Sequence, residues 1–142
     1  MTEPRFYIIM REDLANMNPG KGIAQGSHAQ AAFMWDKMHK EKFASPVEKS
    51  AFEDWIEQGH GFGTTIVLSA PLATIEEMVA AARADHLTLY SAGMVKDTSY
   101  PDINYYGKRF VHSTYTCGWF FWHEEVAETK AAQILATLPL HQ

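Results

Sequence analysis

Apolar positions along this chain change their spacing several times, and each change marks an element. Phe6-Tyr7-Ile8-Ile9-Met10 is an unbroken apolar run of strand length, closed by Arg11-Glu12-Asp13. A helix then starts near Pro19 to Lys21 and runs to about Lys40. Ser45-Pro46 restarts a helix, with Ser45 as N-cap, Pro46 in the first turn and Glu48 at the capping-box position. Val47, Ala51, Phe52, Trp55 and Ile56 form its apolar stripe, and Gly59 stops it. Gly59-His60-Gly61-Phe62-Gly63 reads as a loop, because its glycines precede a strand rather than a helix.

Thr64 to Ser69 is β-branched and reads as the second strand. Thr74 is expected to cap a third helix through Ala84, with Ile75, Met78, Val79 and Ala82 inward. The third strand is either His86 to Tyr90 or the segment around Ala92-Gly93-Met94-Val95. Asp97 to Lys108 is polar and turn-rich, and Phe110 to Trp122 alternates as a long final strand. Val126 to Leu138 is a closing helix ended by Pro139. The order β-α-α-β-α-β-β-α predicts one α/β domain over residues 1–142. It predicts a mixed, mainly parallel four-stranded sheet with helices on both faces, the last adjacent strand pair supplying an antiparallel neighbour.

Composition narrows the function classes. Hydrophobic residues make up 46% of the 142 and charged residues 20%, an ordinary globular balance. A single cysteine, Cys117, excludes an internal disulfide and suits a reducing, cytoplasmic setting. No signal peptide and no apolar run of about 18 residues is found, so no membrane role is expected. The net charge of -5 argues against a broad electrostatic grip on nucleic acid but leaves room for a local basic patch.

Candidate chemistry concentrates between Asn16 and Ala29. On the first helix Lys21, Gln25 and His28 fall at i, i+4 and i+7, with Ala32 and Trp35 continuing the row. Gly22, Gly26 and Ala29 leave another face nearly bare, where a backbone or ligand can approach closely. Lys21 is unusual, since a cation in the first turn opposes the helix dipole. With the free N–H groups there, it suits a phosphate, a carboxylate or a developing oxyanion. The plainer alternative makes Lys21 a solvated lysine and His28 a half-buried structural one. A Walker A loop is excluded, because Ala15 and Gly22 stand where Gly and Ser or Thr are needed. No HxxxH or HExxH pair occurs, so no metal and no cofactor is expected. Cys117 and half of Trp119-Phe120-Phe121-Trp122 read as core.

Arg11-Glu12-Asp13-Leu14, Met17-Asn18-Pro19-Gly20-Lys21, Ala24-Gln25 and His28-Ala29 together resemble the opening of the peptidyl-tRNA hydrolase 2 family. That opening reads roughly R-x-D-L-x-M-x-x-G-K-x-A-A-Q-x-x-H-A. One extra residue lies between Leu14 and Met17, and Ile23 replaces the first Ala of A-A-Q. The family's later D-A-G-x-T segment is matched at Asp97, with Thr98 for Ala, Ser99 for Gly and Pro101 for Thr. Thr114 or Thr116 is the counterpart of a second family threonine, and the loop from Tyr100 to Arg109 is longer than the family's.

The resemblance implies hydrolysis of the ester joining peptide to tRNA. Asp97 would orient or deprotonate the water, Lys21 would stabilise the oxyanion, and Gln25 or Thr114 would position the substrate. His28 is either a base or structural. Gly20, Thr98, Ser99 and Thr116 would contact substrate, with Tyr105 or Tyr106 stacking the terminal base. tRNA is thus the expected partner, and a homodimer is allowed. Two other readings stay open: a non-catalytic relative that keeps the fold as a binding module, and an esterase or amidase for a small acidic substrate.

Overall fold

A computed structural model describes residues 3–142. The elements are β1 (Arg5–Arg11), α1 (Pro19–Met34) continued by a π-helical turn (Trp35–His39), α2 (Pro46–Glu57) and β2 (Thr65–Ala70). They continue as α3 (Leu72–Ala84), β3 (Ala92–Ile103), β4 (Arg109–Trp122), a 3-10 turn (Glu124–Val126) and α4 (Lys130–Leu135). The strands form one four-stranded sheet in the order β2-β1-β4-β3. β1 pairs with β2 in parallel, and β4 runs antiparallel to both β1 and β3. β1, β2 and β3 therefore point the same way, and the carboxyl end of β3 emerges on the side where β1 hands over to α1.

Alternation along the central strands sorts side chains into two cores. Phe6, Ile8 and Met10 of β1, with Cys117, Trp119 and Phe121 of β4, meet Ala29 and Phe33 of α1 and Phe52 and Trp55 of α2. On the other face Ile9, Leu68 and Phe120 meet Ile75, Met78, Val79 and Ala82 of α3 and Ala131, Ala132 and Leu135 of α4. The expected inward positions of α3 are all buried, and Phe33 stacks on Phe6 with ring centroids 4.5 Å apart.

Several boundaries differ from the sequence reading. The segment 86–91 is a turn, so the third strand is the one that begins at Ala92. It continues to Ile103, because β4 offers it a pairing partner throughout; only 104–108 form the turn. Tyr100, which the turn-rich composition placed in a loop, is therefore a fully buried strand residue. α3 starts at Leu72 after Pro71, so Thr74 lies inside the helix instead of capping it. The closing helix is split: Thr129 accepts from the Ala132 N–H and donates to the Val126 carbonyl, which separates a 3-10 turn from α4. Val47 is 54% exposed, because Glu48 takes the inward position at the head of α2.

Two register shifts shape the end of the sheet. β4 carries an extra residue between the pairs Val95–Cys117 and Lys96–Tyr115, namely Thr116. β3 carries one between the pairs Asp97–Thr114 and Tyr100–His112. Such bulges bend a strand and re-aim its side chains. At the far edge, residues 139–141 lie along β2: Ser69 N–H donates to the Pro139 carbonyl and His141 N–H to the Val67 carbonyl, both at 2.9 Å.

Candidate active site

α1 begins on the side of the sheet where β3 reaches its bulges. Asn18 caps the helix, accepting the Lys21 N–H at 2.9 Å, and Pro19 pre-sets the first turn. Gly20 sits exposed in that turn. One helical turn on from Lys21, Gln25 is 2% exposed and points at the sheet. Its amide bridges β3 and β4: Nε2 donates to Asp97 Oδ2 at 2.7 Å, and Oε1 accepts from Thr116 Oγ1 at 2.6 Å. The β4 bulge makes this possible. An ordinary pleat would send Thr116 and Cys117 to opposite faces; here both reach α1, Cys117 Sγ lying 3.6 Å from the Gln25 carbonyl.

Asp97 is fixed from its other side by the Ser99 N–H, which donates to Oδ1 at 2.8 Å. That bond holds the Asp97 carboxyl below its usual range; partial burial opposes it, while the Gln25 amide and the charge of His28 add to it. Asp97 is thus an oriented, ionised carboxylate. Thr98 is exposed in the bulge.

Lys21 is held in a cage made largely of carbonyls. Its ammonium donates to the Asn16 carbonyl at 2.9 Å and the Pro101 carbonyl at 3.0 Å, and lies 5.1 Å from the centroid of the Tyr100 ring. The cage is closed from behind. Asn16 takes a left-handed backbone (φ 63°), which an Asn tolerates, and its side-chain amide donates to Asp102 Oδ1. Asp102 Oδ2 meets His112 Nε2 at 3.1 Å, and the His112 ring stands edge-on to Tyr100. The Tyr100 hydroxyl is buried without a hydrogen-bond partner. Burial raises its pKa, and the charges of Asp102 and Asp97 raise it further.

Lys21, Gln25, Asp97 and Thr116 therefore gather at one sheet end, and His28 lies exposed but within electrostatic reach of Asp97. Lys21 and Asp97 are not in ion-pair contact: Lys21 rests on the Pro101 carbonyl of β3, and Asp97 is bonded to Gln25. Of the two threonines, Thr116 joins the network, whereas Thr114 accepts from Arg11 Nη1 at 3.4 Å. Among the described residues, neither Tyr105 nor Tyr106 shares a hydrogen bond or ring contact with these groups. They sit on the turn between β3 and β4, eight and nine residues beyond Asp97. Asn16, Asp102 and His112 escaped the sequence reading as site residues. The available signal was the extra residue between Leu14 and Met17, which is where Asn16 makes its turn.

The sequence model of the peptidyl-tRNA hydrolase PTH2 family matches residues 5–104, from the start of β1 to just past β3. The chain belongs to this family. The PTH2 match spans Lys21, Gln25 and Asp97, and leaves Thr116 and the whole of β4 outside it. No curated protein matches the chain. Among the described residues, no helix is long and apolar enough to cross a membrane.

Proposed function

We propose that the protein hydrolyses the ester linking a peptidyl or N-acylated aminoacyl group to the 3′ end of tRNA. The observation that carries this reading is the buried Gln25 amide, which ties Asp97 to Thr116 one helical turn from the caged ammonium of Lys21. Membership of the PTH2 family supports the same substrate class.

Ester hydrolysis needs an oriented water, a proton acceptor and stabilisation of the tetrahedral oxyanion. Each Asp97 oxygen spends one lone pair on the protein, which leaves acceptor capacity for a water. As the water oxygen bonds to the ester carbon, its proton passes to Asp97. Lys21 has three N–H donors and commits two to carbonyls, so the third is free for the oxyanion. When the intermediate collapses, the carbon–oxygen bond to the ribose breaks and the proton goes to the ribose oxygen. No step needs His28.

The test is turnover of N-acetyl-aminoacyl-tRNA by purified protein. Lys21→Ala and Asp97→Asn are each expected to lower kcat by roughly 10²–10³, the usual cost of removing one preorganised oxyanion or water-orienting group. Wild-type protein with no turnover above background, or variants that match wild type, would overturn the reading.

A further inference from the structure

Past Tyr100 and His112 the β3–β4 hairpin continues as an arm, with residues outside the chemistry described above. Its tip is built to keep one shape. Asn104 Oδ1 accepts from the Tyr106 N–H at 2.9 Å and the Lys108 N–H at 3.0 Å, while Gly107 supplies the positive φ of 78° that closes the turn. On this rigid turn two aromatic rings stand in solvent, Tyr105 96% and Tyr106 87% exposed, edge to face with centroids 5.5 Å apart. Lys108 and Arg109 follow directly, and no acidic residue lies between Ile103 and Val111. This is the reverse of the chain as a whole, in which 17 acids outnumber 12 lysines and arginines.

Exposed π faces beside unpaired cations are the elements that hold a nucleic-acid strand: stacking takes any base, and the cations meet phosphates. We infer that this hairpin is an RNA-gripping arm that holds the tRNA inward of the ester, setting affinity without entering the chemistry. The inference rests on tRNA as the ligand. Eight residues separate Asp97 from Tyr105, up to ~26 Å at about 3.3 Å per strand residue. At a stacked rise of ~3.4 Å per nucleotide, the tip meets RNA no more than about eight nucleotides from the reacting end. A substrate reduced to the terminal nucleoside is too short to touch it.

That length difference supplies the test. The Tyr105→Ala/Tyr106→Ala variant is compared with wild type on N-acetyl-aminoacyl-tRNA, on N-acetyl-aminoacyl-adenosine and for binding of uncharged tRNA. The arm predicts KM on the tRNA ester raised about tenfold or more at constant kcat, a parallel loss of tRNA affinity, and unchanged hydrolysis of the adenosine ester. Lys108→Gln/Arg109→Gln should flatten the salt dependence of tRNA binding by about 0.7–0.9 per lost phosphate contact on a log–log plot. Unchanged tRNA affinity in the tyrosine variant overturns the inference, whether or not gel filtration shows the variant altering self-association. Equal losses on both esters overturn it as well, since they would make the tyrosines part of the fold. Wild-type protein that binds tRNA through these tyrosines but cleaves neither ester would support the arm and overturn the hydrolase reading alone.

Discussion

One helical row, read every fourth residue, runs Lys21, Gln25, Ala29, Phe33, Lys37, and its two ends are a pair of opposites. Lys21 is partly exposed, its ammonium resting on backbone carbonyls and an aromatic face, while the Asp97 carboxylate is engaged by Gln25. Lys37, sixteen residues on, is 1% exposed and paired directly with the fully buried Glu48. The Glu48 carboxylate also takes the Ser91 hydroxyl and the Ala44 N–H, while Lys37 reaches the carbonyls of Lys42 and Tyr90. The Lys37 ammonium and both Glu48 carboxylate oxygens are spent on the protein. A charge kept half-solvated with one donor unspent can act on a ligand; a charge saturated from all sides can only hold segments together. Here it ties α2, the π turn and the approach to β3 to one another.

The largest effect that would sharpen this contrast lies at the buried end. Lys37→Met alone leaves the Glu48 carboxylate uncompensated and should cost about 3–5 kcal/mol of stability in urea denaturation. Lys37→Met/Glu48→Leu should recover most of that loss, because a buried ion pair is worth little over apolar groups of similar volume. A single variant as stable as wild type would show that the pair carries no structural weight.

Acid should find the same end next. Burial alone would push the Glu48 carboxyl up, but the His123 ring 3.7 Å away, the Lys37 ammonium and the Ser91 hydroxyl hold it at about 2, below its ordinary 4.5. A carboxyl whose folded-state pKa is depressed contributes stability that is complete above the unfolded value and lost as pH falls through the folded one. Melting temperature should therefore drop between roughly pH 4.5 and pH 2. The apolar double variant should lose much of that slope, and an unaltered slope would place the acid sensitivity elsewhere. The smallest effect is at the open end: Lys21→Met breaks two exposed hydrogen bonds and should cost about 1 kcal/mol or less in the same denaturation assay. A cost as large as that at Lys37 would erase the distinction.

What the sequence revealed follows from this physics. Capping residues and apolar spacing act locally, so Asn18, Ser45 and the inward face of α3 were readable from short stretches. Lys21, Gln25 and Asp97 were readable because their types and spacing resemble a known family. Glu48 was read only as a capping-box residue; its burial against Lys37 went unseen because a carboxylate is expected at the surface unless its partner is known, and Lys37 is eleven residues away on another element. The bulges were invisible for a related reason. One extra residue reverses the inward–outward alternation beyond it, so strand pattern alone could not choose between Thr114 and Thr116. The Asn16–Asp102 contact joins residues 86 positions apart, and no local pattern encodes it.

The two margins of the sheet bear on how copies of this chain could meet. On β2 the outer Ser69 N–H and Val67 C=O are taken by residues 139–141, fastened further by the Ser69 hydroxyl on His141 Nδ1 at 2.8 Å. β3, the opposite margin, is interrupted by its bulge, carries the cation of Lys96 and contains Pro101, which has no N–H to give a neighbour. Neither side offers a straight, unpaired strand to another sheet. Joining two molecules into a continuous eight-stranded sheet would require peeling residues 139–141 away from β2 or straightening the strand whose Pro101 carbonyl grips Lys21.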